Sequence, residues 1–87
     1  MQWAITKDHV CTRAADDPSA VGVGNFKGDR HALPFAFRLY DDDGHLYYEG
    51  RSDDRDSEAA FEPLDWAERY AGCTEIRYQY GNTWETL

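Results

Sequence analysis

The chain has 87 residues, 41% of them hydrophobic and 15% aromatic, and a net charge of −8. That length holds one domain, 1–87, and excludes a second independent core, because so short a chain leaves much of its surface in water. Six Tyr, four Phe and three Trp argue against disorder, and no apolar run is long enough to span a bilayer.

The opening Gln2-Trp3-Ala4-Ile5-Thr6 alternates and predicts a short strand with Trp3 and Ile5 on one face. No charged region followed by an apolar one precedes it, so it does not read as a signal peptide; a cytoplasmic protein is expected. Residues 7–34 are the least regular. Asp16-Asp17-Pro18-Ser19 and Gly28-Asp29 are turn signals, and Val21-Gly22-Val23-Gly24 reads as a weak strand.

Phe35 to Tyr40, then Asp41-Asp42-Asp43-Gly44, then His45 to Gly50 predicts a β-hairpin. A four-residue loop, 41–44, pairs Tyr40 with His45, Leu39 with Leu46 and Phe37 with Tyr48. It gathers Phe35, Phe37, Leu39, Leu46 and Tyr48 on one apolar face, which a one-residue slip would break. Residues 51–58 form a polar loop, after which Phe61 is expected to anchor the chain on the core. Pro63 suits the first turn of a short helix, Leu64, Ala67 and Ala71 give its stripe, and Gly72 its left-handed end. Residues 75–87 predict a second hairpin about Gly81-Asn82. A two-residue turn sets Trp84 opposite Gln79; a three-residue loop sets it opposite Tyr80, and the sequence leaves both open. The expected fold is α+β, mostly β: an antiparallel sheet of about five strands, including two hairpins, with one short helix. A small β-barrel is the alternative.

Few residues carry recognisable chemistry. Asp41-Asp42-Asp43-Gly44 lacks the alternate carboxylates and the sixth-position Gly of a calcium loop, and reads as a hairpin tip. His9, Cys11, His45 and Cys73 supply no C-x-x-C or H-x-x-x-H nucleus for zinc. A Cys11–Cys73 disulfide is disfavoured by the expected reducing compartment. No nucleophile motif or phosphate loop is present, so no catalytic residue, metal or cofactor is assigned and no enzyme is expected. The charge map says more: segment 41–68 holds eleven acidic residues against two arginines, so the whole acidic excess lies there.

The stretch Phe37-Arg38-Leu39-Tyr40-Asp41-Asp42-Asp43-Gly44-His45-Leu46-Tyr47-Tyr48-Glu49-Gly50-Arg51 resembles one common in small uncharacterised bacterial and phage proteins. Phe61-Glu62-Pro63-Leu64-Asp65, Ala71-Gly72-Cys73-Thr74-Glu75-Ile76-Arg77-Tyr78 and Trp84-Glu85 extend the likeness over the C-terminal half, joined by the Trp3 to Asp8 opening. The resemblance implies phage or mobile-element ancestry and no activity. In place of the Gly or Pro that such proteins have after Leu-Asp, this chain has Trp66-Ala67-Glu68-Arg69-Tyr70.

Together these features predict a non-enzymatic module that sets its carboxylates on a basic protein surface, such as that of a nucleic-acid-binding protein. An inhibitor of host defence, of the anti-CRISPR or anti-restriction kind, fits that description. The candidate partner-binding residues are Asp41, Asp42, Asp43, Tyr47, Glu49, Asp53, Asp54, Asp56 and Glu58. Direct nucleic-acid binding is disfavoured by repulsion from phosphate, no membrane partner is expected, and the chain is expected to be a monomer or small homo-oligomer. The runner-up is a small-ligand or metal-binding module using the aromatic sheet face and His45.

Overall fold

The structure, a computed structural model, describes residues 1–10 and 19–87. Cys11 and the Asp16-Asp17-Pro18 turn signal lie outside the described residues. Five strands form one antiparallel sheet: β1 (Trp3–Asp8), β2 (Phe35–Tyr40), β3 (Leu46–Ser52), β4 (Glu75–Tyr80) and β5 (Thr83–Thr86). The order across the sheet is β1-β3-β2-β4-β5, and β1 and β5 are its two edges, so the sheet is open and not a barrel. A 3-10 turn, Glu58–Phe61, runs into the ten-residue helix α1, Glu62–Ala71. Pro63 sits in the first turn of α1, where its missing N–H costs no helical bond, and Gly72 ends it at φ 73°.

Strict alternation places Phe37 and Leu39 of β2, Ile76 and Tyr78 of β4, Tyr48 of β3, and Trp3 and Ile5 of β1 on one face. All are buried, and Ala60, Leu64 and Ala67 close over them. The Tyr78 hydroxyl donates to the Ala60 carbonyl at 2.8 Å, which ties the 3-10 turn to the centre of the sheet. Gly50 of β3 lies opposite both Ile5 and Phe37. A β-carbon there would stand 2.3 Å from the Phe37 ring and 2.6 Å from the Ala4 carbonyl oxygen. Only glycine lets the Phe37 ring fill that centre.

Three expectations are corrected. The first hairpin pairs Tyr40 with Leu46 and Leu39 with Tyr48, not Tyr40 with His45 and Leu39 with Leu46. Asp41 closes the loop on His45, and Tyr47 is then an extra residue in β3; such a bulge shifts the register without moving Leu39 and Tyr48 off the core face. Leu46 therefore faces Tyr40. Phe61 is exposed, and Ala60 is the buried residue, because the 3-10 turn rotates the smaller side chain inward. Val21-Gly22 forms a turn, with one bridge from Gly24 to Ala4 in place of a strand. The second hairpin takes the two-residue turn, with Trp84 opposite Gln79 and Gly81 at φ 59°.

The far face of the sheet carries the alternate residues Ala4, Ala36, Arg38, Tyr40, Glu49, Arg51 and Arg77. A single 3-10 turn, Arg30–Ala32, capped by the Asp29 carboxylate, leads into buried Leu33. Arg51 donates to the carbonyls of Leu33 and Pro34, holding that segment to the sheet.

Candidate partner-binding surface

The hairpin tip is held by one of its own acids. The Asp41 carboxylate accepts from the backbone N–H of Asp43 at 2.9 Å and of His45 at 2.8 Å, and lies 3.2 Å from His45 Nδ1. The His45 N–H is the main reason its carboxyl stays below the ordinary 3.8. Asp42 and Asp43 are exposed. One ligand atom each from Asp41, Asp43 and His45 lies within 4.8 Å of the others. Such a mixed oxygen and imidazole set suits a divalent cation, although here it also serves as the internal bonding of the tip.

The acidic loop after β3 uses the same device. Asp54 accepts from the Asp56 N–H at 2.9 Å, the Ser57 N–H at 3.2 Å and the Ser57 hydroxyl. The Ser57 hydroxyl leads the causes that hold this carboxyl below the ordinary value. Asp53 accepts from the Gln2 N–H at 2.9 Å, fastening the loop to the start of the chain. Arg55, the one cation in 53–58, turns inward: it donates to the Gln79 carbonyl and lies over the rings of Phe35 and Tyr80. Asp53, Asp56 and Glu58 remain exposed, and α1 continues the series with half-buried Glu62 and exposed Asp65 and Glu68.

Glu49 is spoken for on the far face. His9 Nε2 lies 2.8 Å from Glu49 Oε2, and Arg38 Nε donates to Oε1 at 3.4 Å. Burial raises the carboxyl's pKa, but the His9 hydrogen bond and the Arg38 charge outweigh it and leave it below the ordinary 4.5. Arg38 also lies over Trp84, and Arg77, paired with Glu75, lies over Tyr40. Tyr47 is half-buried against the margin of the core, its ring edge-on to Tyr48.

The predicted acidic site is thus two sites. Asp41 to Asp43 stand at one end of β3 and Asp53 to Glu58 at the other, about 20 Å apart for a strand of seven residues. Glu49 lies between them, bonded to Arg38 and His9. What joins the second group is the helix: Glu62, Asp65 and Glu68 were not singled out from the sequence. The helical spacing that gave Leu64 and Ala67 as core also puts Glu62 and Asp65 outward, and Glu68 is exposed at the margin of the core stripe. Beside them lies an open groove of about 380 Å³ lined by Trp3, Glu62, Asp65, Trp66, Arg69 and Tyr70.

Cys73 is a buried free thiol, pushed up to about 12 by burial and by the Asp41 charge, which removes it as a nucleophile. Among the described residues no helix is long and apolar enough to cross a membrane. No protein-family model matches the chain, and no curated protein or solved structure matches it.

Proposed function

We propose that the chain is a non-catalytic protein-binding module that docks on a basic protein through the acidic loop 53–58 and the outer side of α1. The observation that carries this is the arrangement of charge around that loop. Seven carboxylates occur between Asp53 and Glu68, and the one arginine among them, Arg55, is folded onto Phe35 and Tyr80. The loop is held in one shape by Asp54, so little ordering entropy is spent on binding. Basic surfaces of the matching kind commonly contact nucleic acid, and an acidic protein competes for them. With the mobile-element ancestry that the sequence resemblance implies, a cytoplasmic inhibitor of a nucleic-acid-handling host defence protein fits this surface.

The test is affinity capture from host lysate with the native chain and a D56K/E58K/E68K variant. These three side chains are exposed, and their reversal leaves Asp54 and Asp53 to hold the loop. A basic protein retained by the native chain and lost with the variant is the expected result. Equal retention by the variant rejects the reading. The second reading, a metal-binding module, draws on the Asp41, Asp43 and His45 cluster. It predicts a higher melting temperature with Zn²⁺, Ni²⁺ or Mn²⁺ that a His45→Ala change abolishes, and a flat response rejects it.

A further inference from the structure

We propose that the groove between Trp3 and α1 receives an arginine side chain of the partner, its guanidinium stacked on Trp66 and Tyr70 and paired with Glu62 and Asp65. The inference rests on the protein-binding reading above and names what the acidic surface would grip. The lining side chains 62, 65, 66, 69 and 70 follow helical spacing, so one face of α1 presents them all.

Aromatic contacts run outward from the core: Phe37 to Trp3 at 6.3 Å between centroids, Trp3 to Trp66 at 6.0 Å, and Trp66 to Tyr70 at 6.0 Å. Trp3 is buried and Trp66 half-buried, while Tyr70 ends the series 74% exposed. Exposed Tyr beside anchored Trp is the composition of a binding hot spot.

The molecule already stacks its own arginines on its aromatic rings. Arg38 lies 4.0 Å from the Trp84 ring centroid, Arg55 4.1 Å from Tyr80 and Arg77 4.4 Å from Tyr40. Among the described residues no cation lies over Trp66 or Tyr70. Glu62 and Asp65 likewise have no ion pair among them. Acids in a first turn complement the helix dipole, but that role does not require aromatic rings beside them. Two carboxylates face one resident cation, Arg69, which leaves room in the charge balance for a second. A planar guanidinium stacks and forks to a carboxylate at once, as a lysine ammonium does not.

The test is an NMR titration of the labelled chain with an Arg-Gly repeat peptide, its citrulline counterpart and its lysine counterpart. The expected shifts centre on the Trp3 indole and residues 62–70, are absent with citrulline, and are weaker with lysine. Tyr70→Ala and Asp65→Asn, each with helix content unchanged by circular dichroism, weaken binding about five- to tenfold. Equal binding of the lysine peptide, or unchanged binding by both variants, overturns the groove. Loss in D56K/E58K/E68K with no loss in Tyr70→Ala overturns the groove alone and leaves the acidic-surface reading standing.

Discussion

Tyr78 shows how one side chain serves two purposes. Its ring fills the centre of the sheet beside Phe37, and its hydroxyl satisfies the carbonyl of Ala60. Burial pushes the phenol up to about 12, so it stays a neutral donor across the working range. Tyr78→Phe keeps the ring but leaves a buried acceptor unmet, and should cost about 1–3 kcal/mol in urea unfolding. Asp41 and Asp54 act at the same scale on the surface. Their carboxyls are held below 3.8 by hydrogen bonds made only in the folded loops. Groups depressed in this way contribute order that is full above the unfolded value and lost as pH falls through the folded one. Carboxyl NMR should therefore show both titrating below 3.8, with the loop amides of Asp43, His45, Asp56 and Ser57 shifting in step. Titration at the ordinary value would mean that the loops are not held by these acids. These roles were not legible in the sequence, where Asp54 looked like any other carboxylate of the segment.

The strands and the helix were legible because alternation, Pro63 and Gly72 act locally. Their registers were not. The extra residue Tyr47 is invisible to a count that assumes one partner per position. The sequence left Trp84 opposite either Gln79 or Tyr80; it sits opposite Gln79 on the far face, where the Arg38 guanidinium covers it. Gly50 is the element-scale test of the observed pairing. It sits in β3 between β1 and β2, and a β-carbon there meets the Phe37 ring and the Ala4 backbone. Gly50→Ala should lower stability by about 1–3 kcal/mol, read as a lower urea midpoint with an unchanged slope. Gly72→Ala meets no neighbour but must hold φ 73° with a β-carbon. It should cost about 1–2 kcal/mol, by a purely local route.

Across the whole molecule, the helix side and the far side of the sheet differ in kind. The helix side offers carboxylates in excess, with Arg69 the one cation lining its groove; on the far side Arg38, Arg51 and Arg77 are each bound to a carboxylate or carbonyl of the chain. The acidic excess was plain in the sequence, but its division between the two ends of β3 follows from strand direction, which charge counting does not reveal. Binding by the acidic side should be steered over long range. Its association rate should fall steeply between low and physiological salt while dissociation changes little. A salt-independent association rate would argue against charge as the recognition principle.

The strand order also sets the sequence in which the molecule assembles. β2 and β3 are joined by a short loop and close quickly, whereas β1 must bring Trp3 to Ser52 across most of the intervening chain. Hydrogen exchange should thus find β1 opening at a lower free energy than β2 to β4. Since Trp3 is one wall of the groove, each such opening would dismantle the groove and free the loop from Gln2, while Asp54 still holds the turn of the acidic loop. Grip and charge would then be separable in time: the chain could be drawn to a basic surface before β1 docks, but could hold an arginine only afterwards.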